Sequence, residues 1–178
     1  KERGRSVESV VPVLDCATHE DERWFCAIPD AIEAAAGPAL AAATRLHDGV
    51  ERDARETVTA ALETIQESVT RQTQLMKRMD EHNDPEVFAT EFRPYYNGFD
   101  GIVYEGVEEL DGDPQSLRGG SGAQRLAVPP IDAALGIDHR GKGPTSHIDD
   151  QRWDLPADHP AVMTALEQGP DVRRYDRH

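Results

Sequence analysis

The residue with the clearest chemical potential is an arginine set among aromatic side chains. Phe88 and Phe92 precede Arg93 in a segment that opens with Asp84 and Pro85, the residue types favoured at the N-cap and first position of a helix. On a helix beginning at Pro85, Arg93 lies beside the aromatic face. Because a guanidinium holds a carboxylate through two parallel hydrogen bonds, this segment can bind a flat apolar molecule that carries a carboxylate. Spacing alone favours the alternative, an exposed arginine in a surface ion pair.

A glycine-rich run from Gly119 to Gln124 is the second segment that can contact a ligand. Glycines allow backbone amides, and here the hydroxyl of Ser121, to approach a bound molecule closely. A plain flexible linker explains the same composition equally well. The run lies in a loop rich in Gly and Asp, from residue 97 to residue 130, and ordered loops of this length are usually functional. It does not match the glycine patterns of phosphate-binding loops.

The remaining reactive residue types form no recognisable site in the sequence. Seven histidines are scattered without metal-ligand spacing. Cys16 and Cys26 are too few for a disulfide framework, and we interpret them as idle thiols in a reducing compartment. No Ser-His-Asp arrangement can be identified, because its members need not be close in sequence.

Charge and composition limit the partners. The 178 residues contain 34 acids and 19 Lys or Arg, a formal net charge of −15, which disfavours nucleic acid and anionic membranes as partners. We see no apolar run of the roughly 20 residues that a membrane helix needs. The acidic excess is typical of a salt-rich cytoplasm, so we expect a cytoplasmic protein. Disorder is the alternative explanation of this composition, and helical periodicity in the middle of the chain argues against it.

The apolar pattern predicts an all-α helical bundle with long ordered loops. We expect the Ala-rich stretch from Trp24 to Leu46 to form two helices separated at Pro38, and a long amphipathic helix to run from about Val50 to Glu81. Two shorter helices are predicted later, and no segment alternates as a strand does. The later helices are predicted at Pro130–Gly136 and His159–Gln168. The apolar stripe of the long helix consists of Val58, Leu62, Ile65, Val69, Met76 and Met79.

Several runs together resemble the indoleamine 2,3-dioxygenase family. The run Gly101–Gly106 (Gly-Ile-Val-Tyr-Glu-Gly) is similar to the family's Gly-Leu-Val-Tyr-Glu-Gly, and Met79–Phe88 resembles the segment that enters its substrate helix. The glycine run matches the family's glycine loop, and Asp132 lies on the helix behind that loop. The resemblance covers roughly Trp24 to Tyr175. It implies residues 1–22 as a linker or the remnant of a preceding small domain, and 23–178 as part of the large helical domain.

The resemblance implies a heme-dependent dioxygenase. Such an enzyme adds dioxygen across the indole double bond of tryptophan or a related indole and forms an N-formylkynurenine-type product; its partners are that small molecule and dioxygen, and its cofactor is heme b. By the same resemblance Arg93 holds the substrate carboxylate, Phe88 packs against the indole, and Phe25 lines the pocket over the iron. Gly120 and Ser121 close over the substrate.

The resemblance also places residues around the heme. Ser121, Gly122, Asp132 and Glu33 are implied near the cofactor, with helix caps or buried pairs as the alternative for the two acids. The proximal histidine is expected on a helix beyond His178, so we expect the chain alone to be incomplete and inactive.

Three positions depart from the family pattern and keep other functions open. Ala89 and Cys26 replace aromatic residues, and Pro29 falls where a distal serine is often found. A heme enzyme acting on another indole is therefore one alternative. A helical module that binds a ligand or a partner protein without catalysis is the other.

Overall fold

Two long helices form the body of the structure, a computed structural model that describes residues 6–12, 19–117, 119–120, 125–137 and 158–175. Helix α1 is Glu20–Glu51 and helix α2 is Arg55–Met76. Contacts of α2 with α1 run in opposite chain directions, from Val58 beside Gly49 to Ser68 bonded to Ala35, so the pair is antiparallel. The predicted all-α class is confirmed.

Helix α1 is continuous, so the predicted division at Pro38 was wrong. It contains both Pro29 and Pro38, each of which removes one backbone donor from the helix. Gly37 has no Cβ to collide with the ring of the proline that follows, and α2 packs along this stretch. The hydroxyl of Ser68 donates to the carbonyl oxygen of Ala35 at 2.6 Å. Tertiary contacts therefore maintain a helix that the local sequence weakens.

Helix α1 is also long and apolar enough, by length and composition alone, to cross a membrane. Its large apolar residues, among them Trp24, Ile28 and Leu46, are buried within the described protein. A core helix has the same composition, and that is the role α1 has here.

The predicted helix from Val50 to Glu81 is interrupted at both ends. The chain turns between α1 and α2 at Asp53, which adopts a left-handed conformation with φ 51°, and Met79–Glu81 is a separate 3₁₀ turn. The buried face of α2 also differs from the predicted stripe, because Leu62, Val69 and Met76 are exposed. The buried positions include two polar residues and are Val58, Ala61, Ile65, Ser68, Gln72 and Leu75.

The interior is divided into neighbouring apolar clusters along α1. The first surrounds Trp24 and includes Val7 of the 3₁₀ turn Val7–Ser9. The second joins Leu46 and Ile65 to Ile131. The shorter helices that complete this end are α4 (Pro129–Ala134), α5 (Asp158–Glu167) and α6 (Val172–Tyr175); the short helix α3 (Pro85–Val87) precedes them in the chain. The first two agree closely with the helices predicted after Pro130 and His159.

A small two-stranded sheet forms within residues 99–117, where no strand was predicted. Strand β1 (Phe99–Ile102) pairs antiparallel with β2 (Gln115–Leu117), and the 3₁₀ turn Glu108–Leu110 lies between them. Phe99 belongs to β1 and its side chain is 43% exposed, so it does not continue the preceding aromatic face. Two strands of three and four residues are too short for alternation to reveal them.

Candidate functional site

The aromatic segment, residues 84–96, begins with the predicted helix cap. Oδ1 of Asp84 accepts hydrogen bonds from the backbone amides of Glu86 and Val87 at 2.8 and 3.2 Å, and Pro85 occupies the first turn of α3 (Pro85–Val87). The helix then widens into a π turn, Phe88–Phe92, and tightens into a 3₁₀ turn, Arg93–Tyr96. π turns are rare and are frequent at functional sites.

This change of winding brings every fourth residue of the segment onto one face. Phe88, Phe92 and Tyr96 all pack against Phe25 of α1, with ring centroids 5.2, 5.6 and 5.7 Å from its own. These four residues are the aromatic cluster. Phe92 is completely buried, whereas the other three are half-buried. A ligand would therefore lie against the open sides of Phe25, Phe88 and Tyr96, because the rings already fill the space between them.

Arg93 follows Phe92 directly and its side chain is exposed. It forms no ion pair with Glu86, Glu91 or Asp100, the acids closest to it in sequence, and no described residue supplies another. The Arg93 side chain is thus open to solvent. The surface ion pair that spacing alone favoured is absent from the described part of the chain.

The glycine loop approaches the end of the same segment. A Cβ on Gly119 would lie 2.6 Å from the carbonyl oxygen of Tyr96 and 2.7 Å from the amide nitrogen of Gly98, so only glycine allows this backbone contact. Gly120 is exposed, and a Cβ there would meet nothing within 4 Å. Ser121 and Gly122 lie outside the described residues, and their predicted roles stay predictions.

A hydrogen-bonded group that the sequence did not reveal lies beside the aromatic cluster. The hydroxyl of Tyr96 donates to Oε1 of Glu22 at 2.9 Å, and its oxygen is 3.4 Å from Sγ of Cys26. Glu22 is completely buried on the first turn of α1. Burial, followed by the contacts with Cys26 and Glu22, raises the pKa of Tyr96 well above its usual range. Burial also raises the pKa of the Cys26 thiol, so we interpret both groups as protonated.

Further along α1 a second polar group faces the start of α4 and α5. Arg125 pairs with Asp30 at 3.2 Å, and burial raises the pKa of Glu33 despite the nearby Arg125 and a hydrogen bond from the amide of Ala127. Oε1 of Glu33 and Nδ1 of His159 are both buried and have no hydrogen-bond partner among the described residues. The structure therefore places predicted Glu33 in a polar environment whose hydrogen-bonding capacity is not filled.

The predicted residues fall into two groups. Phe25 and Phe88 are in contact near the start of α1, Arg93 lies on the same segment as Phe88, and Gly120 follows the glycine that lies against the backbone of Tyr96. Glu33 lies about two turns beyond Phe25 on α1, and Asp132 is half-buried on the first turn of α4.

The sequence carries only a weak signal for the contacts of Tyr96 with Glu22 and Cys26. Glu22 and Cys26 are four residues apart on α1, and this spacing places them on one face. Nothing in the sequence connects that face to Tyr96, which lies 74 residues beyond Glu22.

No metal-ligand cluster is found elsewhere in the described ranges. They contain no group of three or more His, Cys, Asp or Glu side chains able to hold a metal ion. His47 is buried, with Nε2 3.0 Å from the carbonyl oxygen of Ala134, and that contact occupies the nitrogen. A cleft of about 830 Å³ between the Val7 turn, α1 and α2 contains none of the predicted site residues.

Known proteins match this chain over most of its length. Indoleamine 2,3-dioxygenase 1 of Mus musculus is 29% identical over 163 residues, which cover 86% of this chain and 39% of the relative. Indoleamine 2,3-dioxygenase 2 of Mus musculus is 28% identical over 176 residues, 95% of this chain and 42% of the relative. A myoglobin of Haliotis madaka is 27% identical over 155 residues, 83% of this chain and 40% of that protein.

The extent of these matches matters for function. The chain spans about two fifths of the length of the curated relatives that it matches. The family model for indoleamine 2,3-dioxygenase matches residues 3–178. That match shows that the chain belongs to the indoleamine 2,3-dioxygenase family.

Proposed function

We propose that this protein is a heme-dependent dioxygenase that opens the indole ring of tryptophan or a related indole, with an N-formylkynurenine-type product. The observation that carries the proposal is the aromatic cluster, with exposed Arg93 on the same segment forming no ion pair with any described residue and Gly119 against the backbone of Tyr96. Those features suit a flat aromatic acid. The names of the most similar relatives support the same chemistry.

The chain's own residues would bind and orient the substrate. The open sides of Phe25 and Phe88 provide apolar surface for an aromatic ring, and tilted ring pairs of this kind are favourable. Arg93 would hold the carboxylate by two parallel hydrogen bonds, which fixes the direction in which the ring points. Holding the reacting ring in one orientation lowers the barrier of the reaction by removing the entropy of alignment.

The described residues suit the polar edge of a heme. Arg125 and Nδ1 of His159 can donate to a propionate, and Oε1 of Glu33 still lacks a hydrogen-bond partner. The raised pKa of Glu33 favours its neutral form, which can donate to an anion. When bound, the heme would supply dioxygen activation, while the protein contributes orientation and a dry pocket. We assign the iron ligand to none of the described residues.

Heme binding and turnover test the proposal together. The purified full-length protein, loaded with hemin, is expected to show a Soret band, and tryptophan should change that band on binding and be converted in the presence of dioxygen and a reductant. Heme-loaded bovine serum albumin is the control for non-specific hemin uptake. A protein that takes up no heme above that control would refute the proposal.

A second candidate is heme-dependent oxygen binding without ring opening. The specific observation in its favour is the similarity to a protein named myoglobin. Both candidates predict a Soret band, so indole binding separates them. A heme-loaded protein that neither binds nor converts any indole would favour the second candidate.

A further inference from the structure

The Glu22–Tyr96–Cys26 group makes one wall of the aromatic cluster polar. Tyr96 contributes its ring to the cluster and its hydroxyl to the buried carboxyl of Glu22. Tyr96 and Cys26 are both half-buried, whereas Glu22 is completely buried. The carboxyl therefore holds the phenol from the inside, while Tyr96 and Cys26 each keep part of their surface accessible.

The direction of these hydrogen bonds determines which further hydrogen bond a ligand can form with the phenol of Tyr96. The Tyr96 proton is committed to Oε1 of Glu22, so the phenol oxygen has only lone pairs to offer. One lone pair faces Sγ of Cys26 at 3.4 Å, and a hydroxyl oxygen has two. The second can accept a hydrogen bond from a ligand. The single S–H of Cys26 is directed at the phenol oxygen, so a ligand hydroxyl fits this position as a donor.

We propose that Tyr96, oriented by Glu22 and assisted by Cys26, determines ring specificity by preferring an indole substrate whose ring carries a hydroxyl group over one with a bare ring. This inference rests on the proposed function, because it concerns the substrate of the same site. It follows from where the phenol lies: its ring is part of the surface against which the substrate ring would pack, so a substituent at the ring edge reaches its oxygen.

The expected ratio of affinities for a hydroxylated and a bare indole depends on whether the phenol is already hydrogen-bonded when no ligand is bound. Sites that leave a buried polar group unpaired discriminate strongly against a ligand lacking the matching group. Here Glu22 and Cys26 already satisfy the phenol, so the hydroxylated ligand gains one ordinary neutral hydrogen bond. Such a bond corresponds to an affinity ratio of about 2- to 12-fold.

The test compares dissociation constants for tryptophan and for each ring-monohydroxylated tryptophan. They are measured by titration of the heme-loaded protein, followed by the Soret band and by calorimetry. At least one hydroxylated isomer is expected to bind tighter than tryptophan by the ratio given above. Tyr96→Phe is expected to bring that ratio to about one, and Glu22→Gln, which keeps an acceptor for the phenol, to preserve most of it.

Tyr95→Phe is the matched control, since Tyr95 is exposed and outside the aromatic cluster. It should leave the ratio unchanged. A purely structural role for the group would lower the thermal unfolding midpoint of Tyr96→Phe without changing the ratio. The inference is wrong if no hydroxylated isomer is preferred, or if the preference survives in Tyr96→Phe.

The same data distinguish failure of this inference from failure of the proposed function. Tryptophan binding without any hydroxyl preference overturns the inference and leaves the proposed function standing. Binding of no indole at all overturns both.

Discussion

Replacing Arg93 with alanine should weaken substrate binding while leaving the fold intact. The side chain is exposed and forms no ion pair within the described structure, so its removal should change the free energy of unfolding by no more than about 0.5 kcal/mol. In the complex, Arg93 would form charge-assisted hydrogen bonds with a carboxylate. A hydrogen bond to a charged group typically contributes about 1.5–3 kcal/mol. Arg93→Ala should therefore weaken tryptophan binding by about 10- to 150-fold.

The assay uses tryptophan and tryptamine, which has the same ring and amine but no carboxylate. Dissociation constants for both ligands are measured by calorimetry on the heme-loaded protein and its variants. Arg93→Ala should weaken tryptophan binding and leave tryptamine binding nearly unchanged. Arg93→Lys should lie between, since it keeps the charge and loses the paired geometry; Arg71→Ala, an exposed arginine on α2, should have no effect. An equal loss for both ligands, or no loss for tryptophan, would refute the carboxylate role.

Three further predictions concern stability. Gly169→Ala should lower the thermal unfolding midpoint and reduce the free energy of unfolding by about 1–3 kcal/mol, because a Cβ there would lie 2.2 Å from Nδ1 of the buried His47. Gly120→Ala, with open space around it, is the control. Equal midpoints for the two variants would contradict the close packing of Gly169 against His47. Asp84→Ala should cost about 0.5–2 kcal/mol through loss of the helix cap, measured by urea unfolding, whereas Asp84→Asn should retain most of the stability. The pKa of Glu33 is raised in the folded protein, so this carboxyl stabilises the fold at low pH and loses that contribution as the pH rises above 4.5, its ordinary pKa. Glu33→Gln should therefore become more stable relative to the unmodified chain as the pH rises through this range, and a difference independent of pH would contradict the assignment.

Local signals predicted the elements that depend on neighbouring residues. The cap at Asp84 and the proline at position 85 identified the start of the aromatic segment correctly, because both act within one helical turn. The helices after residues 129 and 158 were also predicted. The continuity of α1 through Pro38 was not, since packing of α2 and the contact from Ser68 maintain it. Propensity is a weak guide where tertiary contacts oppose it.

The site shows the same division between local and distant information. Phe88 and Arg93 could be proposed together because they are close in sequence, and the family resemblance added Phe25, which the structure places against Phe88. The contact of Tyr96 with Glu22 joins residues far apart in the chain. Whether a glutamate is buried depends on what folds over it, and a charged residue at a helix start is ordinarily an exposed one. Such a contact cannot be inferred from spacing.

The measurement that tests the central claim most directly is the origin of the oxygen atoms in the product. The heme-loaded full-length protein is incubated with tryptophan, a reductant and isotope-labelled dioxygen, and the product is analysed by mass spectrometry with hemin alone as the control. A ring-opening dioxygenase should give an N-formylkynurenine-type product that contains both labelled oxygen atoms. Unconverted tryptophan, or a product without label from dioxygen, would contradict the proposed function.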